Sequence, residues 1–594
     1  MKQIIKRGSF FTLMFMLLGC LSLYAADNDL ITKQITIEME KAGTLPDRIA
    51  SSKKYKITNL KIIGEINGTD LKMIREMTGS NNTYGKLSVL DLSEARIVEG
   101  GDYYYYNDNI NNYYYTSNDV IGSYAFKGCS RLTSLTLSAG ITEIGKYAFS
   151  DCSGLTSLTI PAGITEIGAW AFEDCSGLTS LTLPAGITEI GSRAFYGCSG
   201  LTSLTLPAGI TWIGSGAFEG CSGLTSLTLP AGITSIGDDA FYGCSGLTSL
   251  NLPAGITGIG MDAFYGCSGL TSLNLPAGIA SIGSGAFYGC SGLTSLNLPA
   301  GITEIYNYTF EGCSGLTSLT LPAGITSIGE YAFAGCRGLT SLTLPAGITW
   351  IESYAFLGCS GLTSLTLSDG ITEIGWGAFE GCSGLKEVRF CINDNLDTYL
   401  TKGHPYIGVG CGIKYYINNK EITSIEIPSN VTTLGKCVFQ GCSGLTSLTL
   451  PAGITEIGDA AFAGCSGLTS LTLPAGITSI SDGTFRDCSG LTSIYVYEEK
   501  VPIIGSNVFK GCDAKKCTVY VPMGTYNDYR LSEFGDYFEN IVEFDVTGID
   551  KTTTSTDIEE VARYSVNGQR LSAPTKGLNI VKYSNGSVKK VAVR

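Results

Sequence analysis

From Ile121 onward the chain sets Leu, Ile, Phe and Cys at fixed places every 23 residues. Cysteine falls at 129, 152, 175, 198, 221, 244, 267, 290, 313, 336, 359 and 382, then at 442, 465, 488 and, one residue late, 512. Phe stands three residues before each of them. A representative unit, 201–223, reads LTSLTLPAGITWIGSGAFEGCSG, with apolar residues at Leu201, Leu204, Leu206, Ile210, Ile213, Ala217, Phe218 and Cys221. The stretch Leu-x-x-Leu-x-Leu alternates as a short strand, turning Leu204 and Leu206 to one side and Ser203 and Thr205 to the other. Pro207, Ala208 and Gly209 then end the strand and turn the chain. A single unit cannot bury its apolar side. Stacked in register, each large side chain contributes about 1.5–3 kcal/mol against its neighbours, so stability is collective along the stack.

The pattern therefore predicts a solenoid with a parallel β-sheet on one face and short strand, turn and 3-10 segments on the other. The strand frame recurs outside the regular block as Ile57-Leu60-Ile62, Leu87-Leu90-Leu92, Ile422-Ile425-Ile427 and, more loosely, Val519-Val521, giving about 19 rungs. Helical patterns around Leu45 to Ile49 and Leu71 to Met77 predict an α/β amino-terminal cap. Tyr526, Tyr529, Leu531 and Phe534 stand at helical spacing at the other end, followed by a small β-rich tail. The expected divisions are a signal peptide at 1–26, a cap with two irregular rungs and a tyrosine-rich insert at 27–120, and regular rungs at 121–390. An irregular insert follows at 391–421, further rungs and a cap at 422–545, a linker at 546–560 and a tail at 561–594.

The first segment is an address. Lys2, Lys6 and Arg7 precede an apolar run from Phe10 to Leu18, and Ala25 and Ala26 stand before Asp27, the three-part pattern of a secretory signal. Leu17-Leu18-Gly19-Cys20 also has the look of an acylation site. No later run approaches 18 apolar residues, so no transmembrane segment is expected in the mature chain.

Charge narrows the partners. The 594 residues carry a net charge of −14, and 121–382 holds 17 acidic residues against 5 basic ones. Such a surface gains nothing from releasing phosphate counterions, which argues against nucleic acid. Enzyme chemistry also fits poorly. The chain has one histidine, His404, inside the irregular insert, so no Ser/His or Cys/His arrangement can form in the rungs. Glu143, Glu166 and Glu189 recur one per rung along an outer face and do not converge as a carboxylate pair must. No cofactor or metal is expected. No Cys-x-x-Cys occurs, and thiols in an in-register ladder sit about 4.8 Å apart, pointing the same way, which suits buried reduced thiols better than disulfides. The out-of-register cysteines are Cys391, Cys411, Cys437 and Cys517, of which Cys391 and Cys411 could brace the insert as a disulfide.

Binding must then come from columns that the core leaves outside. One follows Ile-Thr and includes Trp212. Another follows the Phe and includes Ser150, Glu173, Tyr196, Glu219, Tyr242, Tyr265, Tyr288 and Glu311. Exposed aromatics supply much of the contact energy at interfaces, so Trp212, Tyr196, Tyr242, Tyr265 and Tyr288 are candidate ligand-binding residues, the alternative being surface drift. Tyr103, Tyr104, Tyr105 and Tyr106, with Tyr113 to Tyr115, form either a recognition loop or a mobile insertion.

The succession Leu-x-x-Leu-x-Leu-Pro, Ile-x-x-Ile-Gly, Ala-Phe-x-Gly-Cys resembles the BspA-like leucine-rich repeats of bacterial cell-surface proteins, over Ile57 to about Phe544. The resemblance implies a secreted or surface-displayed adhesin without enzymatic activity, whose partners are host or cell-surface proteins. A carbohydrate-binding component, with Trp and Tyr stacking on sugars, is the alternative, and a passive spacer a third. The tail, with Tyr564-Ser-Val-Asn-Gly-Gln-Arg, Lys576-Gly-Leu-Asn-Ile-Val and Gly586-Ser-Val-Lys-Lys-Val, resembles a Por-type (type IX) secretion sorting domain. That resemblance implies the outer surface of a Gram-negative bacterium.

Overall fold

The computed structural model describes residues 29–80, 83–368, 370–391, 400, 414–417, 420–546, 560–566, 569–573, 576–583 and 588–593. The chain divides into two compact units, Met1–Cys391 with Tyr406–Gly410, and Ile392–Pro405 with Cys411–Arg594.

In the first unit the alternating frame folds as read. Strands Ile35–Met39, Asn59–Ile66 and Val89–Ile97 lead into three-residue strands that begin with Ser134–Thr136 and pair in parallel as far as Ser318–Thr320, each opposite its equivalent, as in Leu181 with Leu204 and Leu204 with Leu227, and a second ladder resumes at Ser341–Thr343. Most show an exposed–buried–exposed pattern, because only the central Leu faces inward. The opposite face is built from two-residue strands such as Glu189–Ile190 and Trp212–Ile213, also parallel and in register. Tight i to i+3 turns connect the faces, for example Ala148 N to Gly145 O, Cys152 N to Phe149 O and Leu155 N to Cys152 O.

The interior is a set of columns. Phe126 to Phe379 stack ring on ring at every rung, centroids 5.0–5.5 Å apart and planes within 12°. Beside them the cysteines do more than fill space. Each thiol from Cys152 to Cys382 donates to the carbonyl of the Phe 26 residues earlier, at 3.0–3.3 Å. Rungs approach so closely at the glycine after Cys-Ser that a Cβ on Gly269 would collide with the Ser245 carbonyl oxygen.

The cap is tied to the first rungs by polar contacts. Asn67 and Asp70 form a capping box on helix Gly68–Met77, and Asp70 also accepts from the backbone N–H of Leu45 (2.9 Å) at the start of helix Leu45–Arg48. Arg75, fully buried, donates to the carbonyls of Tyr124 (2.7 Å) and Ala125 (3.0 Å). The tyrosine-rich insert takes regular structure. It is an antiparallel hairpin, Gly100–Asn107 with Asn112–Thr116, packed on that cap.

The second unit repeats the scheme with strands Ser424–Glu426, Ser447–Thr449, Ser470–Leu473, Ser493–Val496, Thr518–Pro522 and Asn540–Phe544. Among the described residues the rungs number 21, two more than the frame suggests, because Ile35–Met39 and Asn540–Phe544 each add a strand to an end of a ladder without carrying the full Leu-x-x-Leu lead. The carboxy-terminal cap is two short helices, Tyr526–Arg530 and Glu533–Tyr537, with Ser532 capping the second. That break leaves Leu531 exposed and only Tyr529 and Phe534 of the expected apolar face buried. The tail forms a small antiparallel sheet from Glu560–Ser565, Arg570–Leu571, Gly577–Tyr583 and Val588–Val593.

Candidate functional site

The turn that follows each two-residue strand forms one edge of the solenoid in the first unit, and its backbone there is left-handed. The residue two before the Phe has positive φ in successive rungs: Tyr124 (62°), Tyr147 (54°), Trp170 (59°), Arg193 (54°), Gly216 (65°), Asp239 (56°), Asp262 (51°), Gly285 (64°), Tyr308 (62°), Tyr331 (54°) and Tyr354 (58°). Glycine, Asp or Asn meets this requirement easily, whereas a bulky side chain costs roughly 1–2 kcal/mol. Six rungs nevertheless place Tyr or Trp there.

Those side chains form ladders. Tyr105 of the hairpin stacks on Tyr124 (4.8 Å), Tyr124 on Tyr147 (4.9 Å) and Tyr147 on Trp170 (5.7 Å), and the Arg193 guanidinium lies 4.9 Å from the Trp170 ring as the terminal plate. Farther on, Tyr308, Tyr331 and Tyr354 stack at 5.5 and 4.9 Å, and Trp376, 67% exposed, meets Tyr354 edge-on. Each such pair contributes roughly 0.5–1.5 kcal/mol beyond burial, which offsets part of the strain.

The column after Phe runs beside this one. Tyr242, Tyr265 and Tyr288 come together as expected, centroids 4.4 and 4.3 Å apart and planes within 6°, and are half-buried by one another. Tyr196 packs against Trp170 of the neighbouring column at 5.5 Å. Ser150 is a correction: the column is not uniformly outside, for Ser150 is fully buried, accepting from Lys127 Nζ (2.9 Å) and donating to Glu173 Oε2 (2.7 Å). Trp212 stands apart from the tyrosines, 42% exposed on the short-strand ladder opposite Glu189; Trp350 has an equivalent place between Ser327 and Glu373.

Of the tyrosine-rich insert, Tyr104 is buried, its hydroxyl donating to the Ser123 carbonyl at 2.8 Å, so it serves the cap. Tyr103 lies under Lys72 and against Tyr113, Tyr105 lies under Arg75, and Tyr106 packs on Tyr113 with its hydroxyl on Asn111. Cys391 ends strand Glu387–Cys391; its side chain, Cys411 and His404 lie outside the described residues.

The left-handed column escapes sequence reading because its occupants share no chemistry. The scatter of Gly216, Gly285, Gly377, Asp239, Asp262 and Asn507 at one phase of the repeat was the available signal.

The same repeat identifies the chain. Its residues 99–224, 188–317, 280–402 and 413–530 match the family described as BspA type leucine rich repeat region (6 copies). The chain belongs to the BspA-type leucine-rich repeat family. No curated protein matches it. Among solved structures, a leucine-rich repeat protein from Bacteroides ovatus is 28% identical, covering 66% of this chain and 92% of that one with a TM-score of 0.46. A leucine rich cell surface protein from Faecalibacterium prausnitzii is 23% identical over 63% of this chain and 89% of that one, with a TM-score of 0.26.

For this BspA-type solenoid most of the thiol ladder is chemically quiet, the exception being Cys382, whose pKa is lowered by its hydrogen bond with Cys359. Burial pushes Cys244, Cys290 and Cys336 up to about 12, well away from the thiolate a nucleophile requires. Native labelling with a small maleimide is expected to leave the ladder from Cys129 to Cys359 unmodified. Among the described residues only Cys437 and Cys512, both partly accessible, are expected to react, and Cys517, though out of register, is buried and should not. Ten or more labelled cysteines before denaturation would contradict a closed core.

Proposed function

We propose that this protein is a non-enzymatic, surface-displayed binding protein that holds a macromolecular partner, a host or cell-surface protein, against the aromatic edge of its solenoid. The observation that carries the reading is the placement of Tyr and Trp at left-handed positions along a solvent-facing edge, where the backbone alone would favour glycine. Strained positions persist where the surrounding structure imposes them and cluster at sites of function. The leader pattern at 1–26 and the β-rich tail fit export and display at an outer cell surface. None of the described helices is long and apolar enough to cross a membrane.

A glycan partner is favoured only at Trp212 and Trp350. Within the ladders the tyrosines cover each other's faces, leaving a free face only at end rings such as Tyr288 and Tyr308, whereas a sugar ring stacks on a face, and these two indoles have no aromatic neighbour in their column.

Panels of immobilised host proteins and glycans, probed with the full chain, test both readings. Replacing the left-handed Tyr308, Tyr331 and Tyr354 together by Ser is expected to cost about 1–3 kcal/mol of stability from lost stacking and to weaken capture by proteins at least tenfold. Capture that survives this triple change but is lost in Trp212→Ser with Trp350→Ser, on glycans only, would replace the protein reading by the glycan one.

A further inference from the structure

Arg193 shows how this edge holds a cation. Its Nε lies 2.9 Å from Glu219 Oε2 and its second guanidinium nitrogen 3.8 Å from Asp239, with the Trp170 ring behind it. The side chain crosses above Gly216, where an added Cβ would lie 2.7 Å from Arg193 Cγ and 2.9 Å from Glu219 Oε2. Upstream, Lys127 repeats the device over Tyr147, paired with Asp151 at 3.1 Å.

Four rungs beyond Arg193 the same position is Gly285, and Glu311 stands to it as Glu219 stands to Arg193, 26 residues on. Here the chain supplies no cation. Between Arg193 and Arg337 there is no Lys or Arg, while Glu219, Asp238, Asp239, Asp262, Glu304, Glu311 and Glu330 all fall in the interval. The Asp262 carboxylate reaches across Gly285, Tyr288 flanks it on the same rung and Tyr308 on the next. Burial raises the pKa of Glu311, and burial together with Asp239 and Asp238 raises that of Asp262, as carboxylates without a counterion behave.

We propose that the edge around Gly285 binds a basic segment of a partner protein, an arginine or lysine head lying between Asp262 and Glu311 against Tyr288 and Tyr308. The aromatic run from Tyr242 to Tyr354 spans five rung steps, about 24 Å, the length of about seven extended residues, so the occupant is a peptide segment and not a single ion. Planar guanidinium satisfies both demands of the place, carboxylate pairing and stacking on a ring. The inference deepens the proposed binding role and rests on it.

The full chain is titrated into a fluorescein-labelled nonapeptide alternating Arg and Gly, read by anisotropy at 150 mM salt, about the physiological ionic strength. Saturable one-to-one binding is expected. Gly285→Arg gives the rung its own cation, at a φ that Arg193 already adopts but with the Asp262 carboxylate pushed aside, and is expected to weaken binding at least tenfold, equivalent to about 1.4 kcal/mol, while the chain stays folded with a somewhat lower melting temperature. Glu311→Gln is expected to weaken it at least threefold and serves if Gly285→Arg fails to fold. Changing Glu143, Glu166 and Glu189 together to Gln removes more charge elsewhere and should have little effect. Undiminished binding in Gly285→Arg, or an equal loss in the Glu143, Glu166 and Glu189 variant, overturns the proposal by showing attraction to net charge alone. If the full chain captures a host protein and Gly285→Arg captures it equally well while the peptide does not bind, the basic-segment inference falls and the binding role stands.

Discussion

Phe264→Ala is expected to cost about 3–5 kcal/mol and to divide the unfolding of the first unit into two transitions. The ring is fully buried and sits between Phe241 and Phe287, 5.4 Å from each, with planes within 6°. Removing it leaves a cavity that cannot collapse, because the rungs on either side are held in register by their own backbone bonds, Phe241 N to Ala263 O and Phe264 N to Ala286 O among them. Each rung touches only its neighbours, so weakening one interface near the middle of the stack uncouples the two flanks. Thr271→Ala is the control. Its exposed hydroxyl gives up only a 3.4 Å bond to the Thr248 carbonyl, expected to cost no more than about 1 kcal/mol. Trp170 and Trp212 report on one flank and Trp350 and Trp376 on the other, so variants retaining one pair, followed by fluorescence in denaturant, resolve the two transitions. Equal costs for the two changes would mean that the inward and outward faces are assigned wrongly.

What the sequence makes legible follows from what repeats. The Leu, Ile, Phe and Cys columns require the same chemistry in every rung, so a 23-residue period exposes them directly. The terminal rungs required only one strand to pair with, and Ile35–Met39 and Asn540–Phe544 are held by that pairing without the rest of the unit. The hairpin at Gly100–Thr116 was hidden by four consecutive tyrosines that show no alternation, although the turn carries Asn111 at φ 50°. Hardest to see was the left-handed column, because a backbone conformation, unlike a buried volume, can be met by Gly, Asp, Arg, Tyr or Trp. The tyrosines after Phe are legible as a column but their stacking partners are not, and Trp212, in the column after Ile-Thr, does not join their surface. A shared rung number does not make a shared surface.

Alkaline conditions are expected to destabilise this protein far more steeply than its tyrosines and lysines would, because buried thiols such as Cys244, Cys290 and Cys336 titrate only when the chain unfolds. A cysteine in an unfolded chain ionises near 8.5. Burial holds Cys244, Cys290 and Cys336 at about 12 in the folded state. The folded value is the higher one, so the stability that each protonated thiol contributes is fully present below about 8.5 and is lost progressively as pH rises toward 12. In that window the folded state binds one more proton per thiol, and stability falls by about 1.4 kcal/mol per pH unit for each. Cys244→Ala, Cys290→Ala and Cys336→Ala in one variant therefore removes about 4 kcal/mol per pH unit from the slope between pH 9 and 11. The variant starts less stable at pH 7, since three small cavities open and three carbonyls, those of Phe218, Phe264 and Phe310, lose the thiol that donates to them. Denaturant melts under reducing conditions at pH 7, 9 and 10 should then bring the two stability curves together as pH rises. Parallel curves would show that the thiols already ionise in the folded chain and that the ladder is open to solvent.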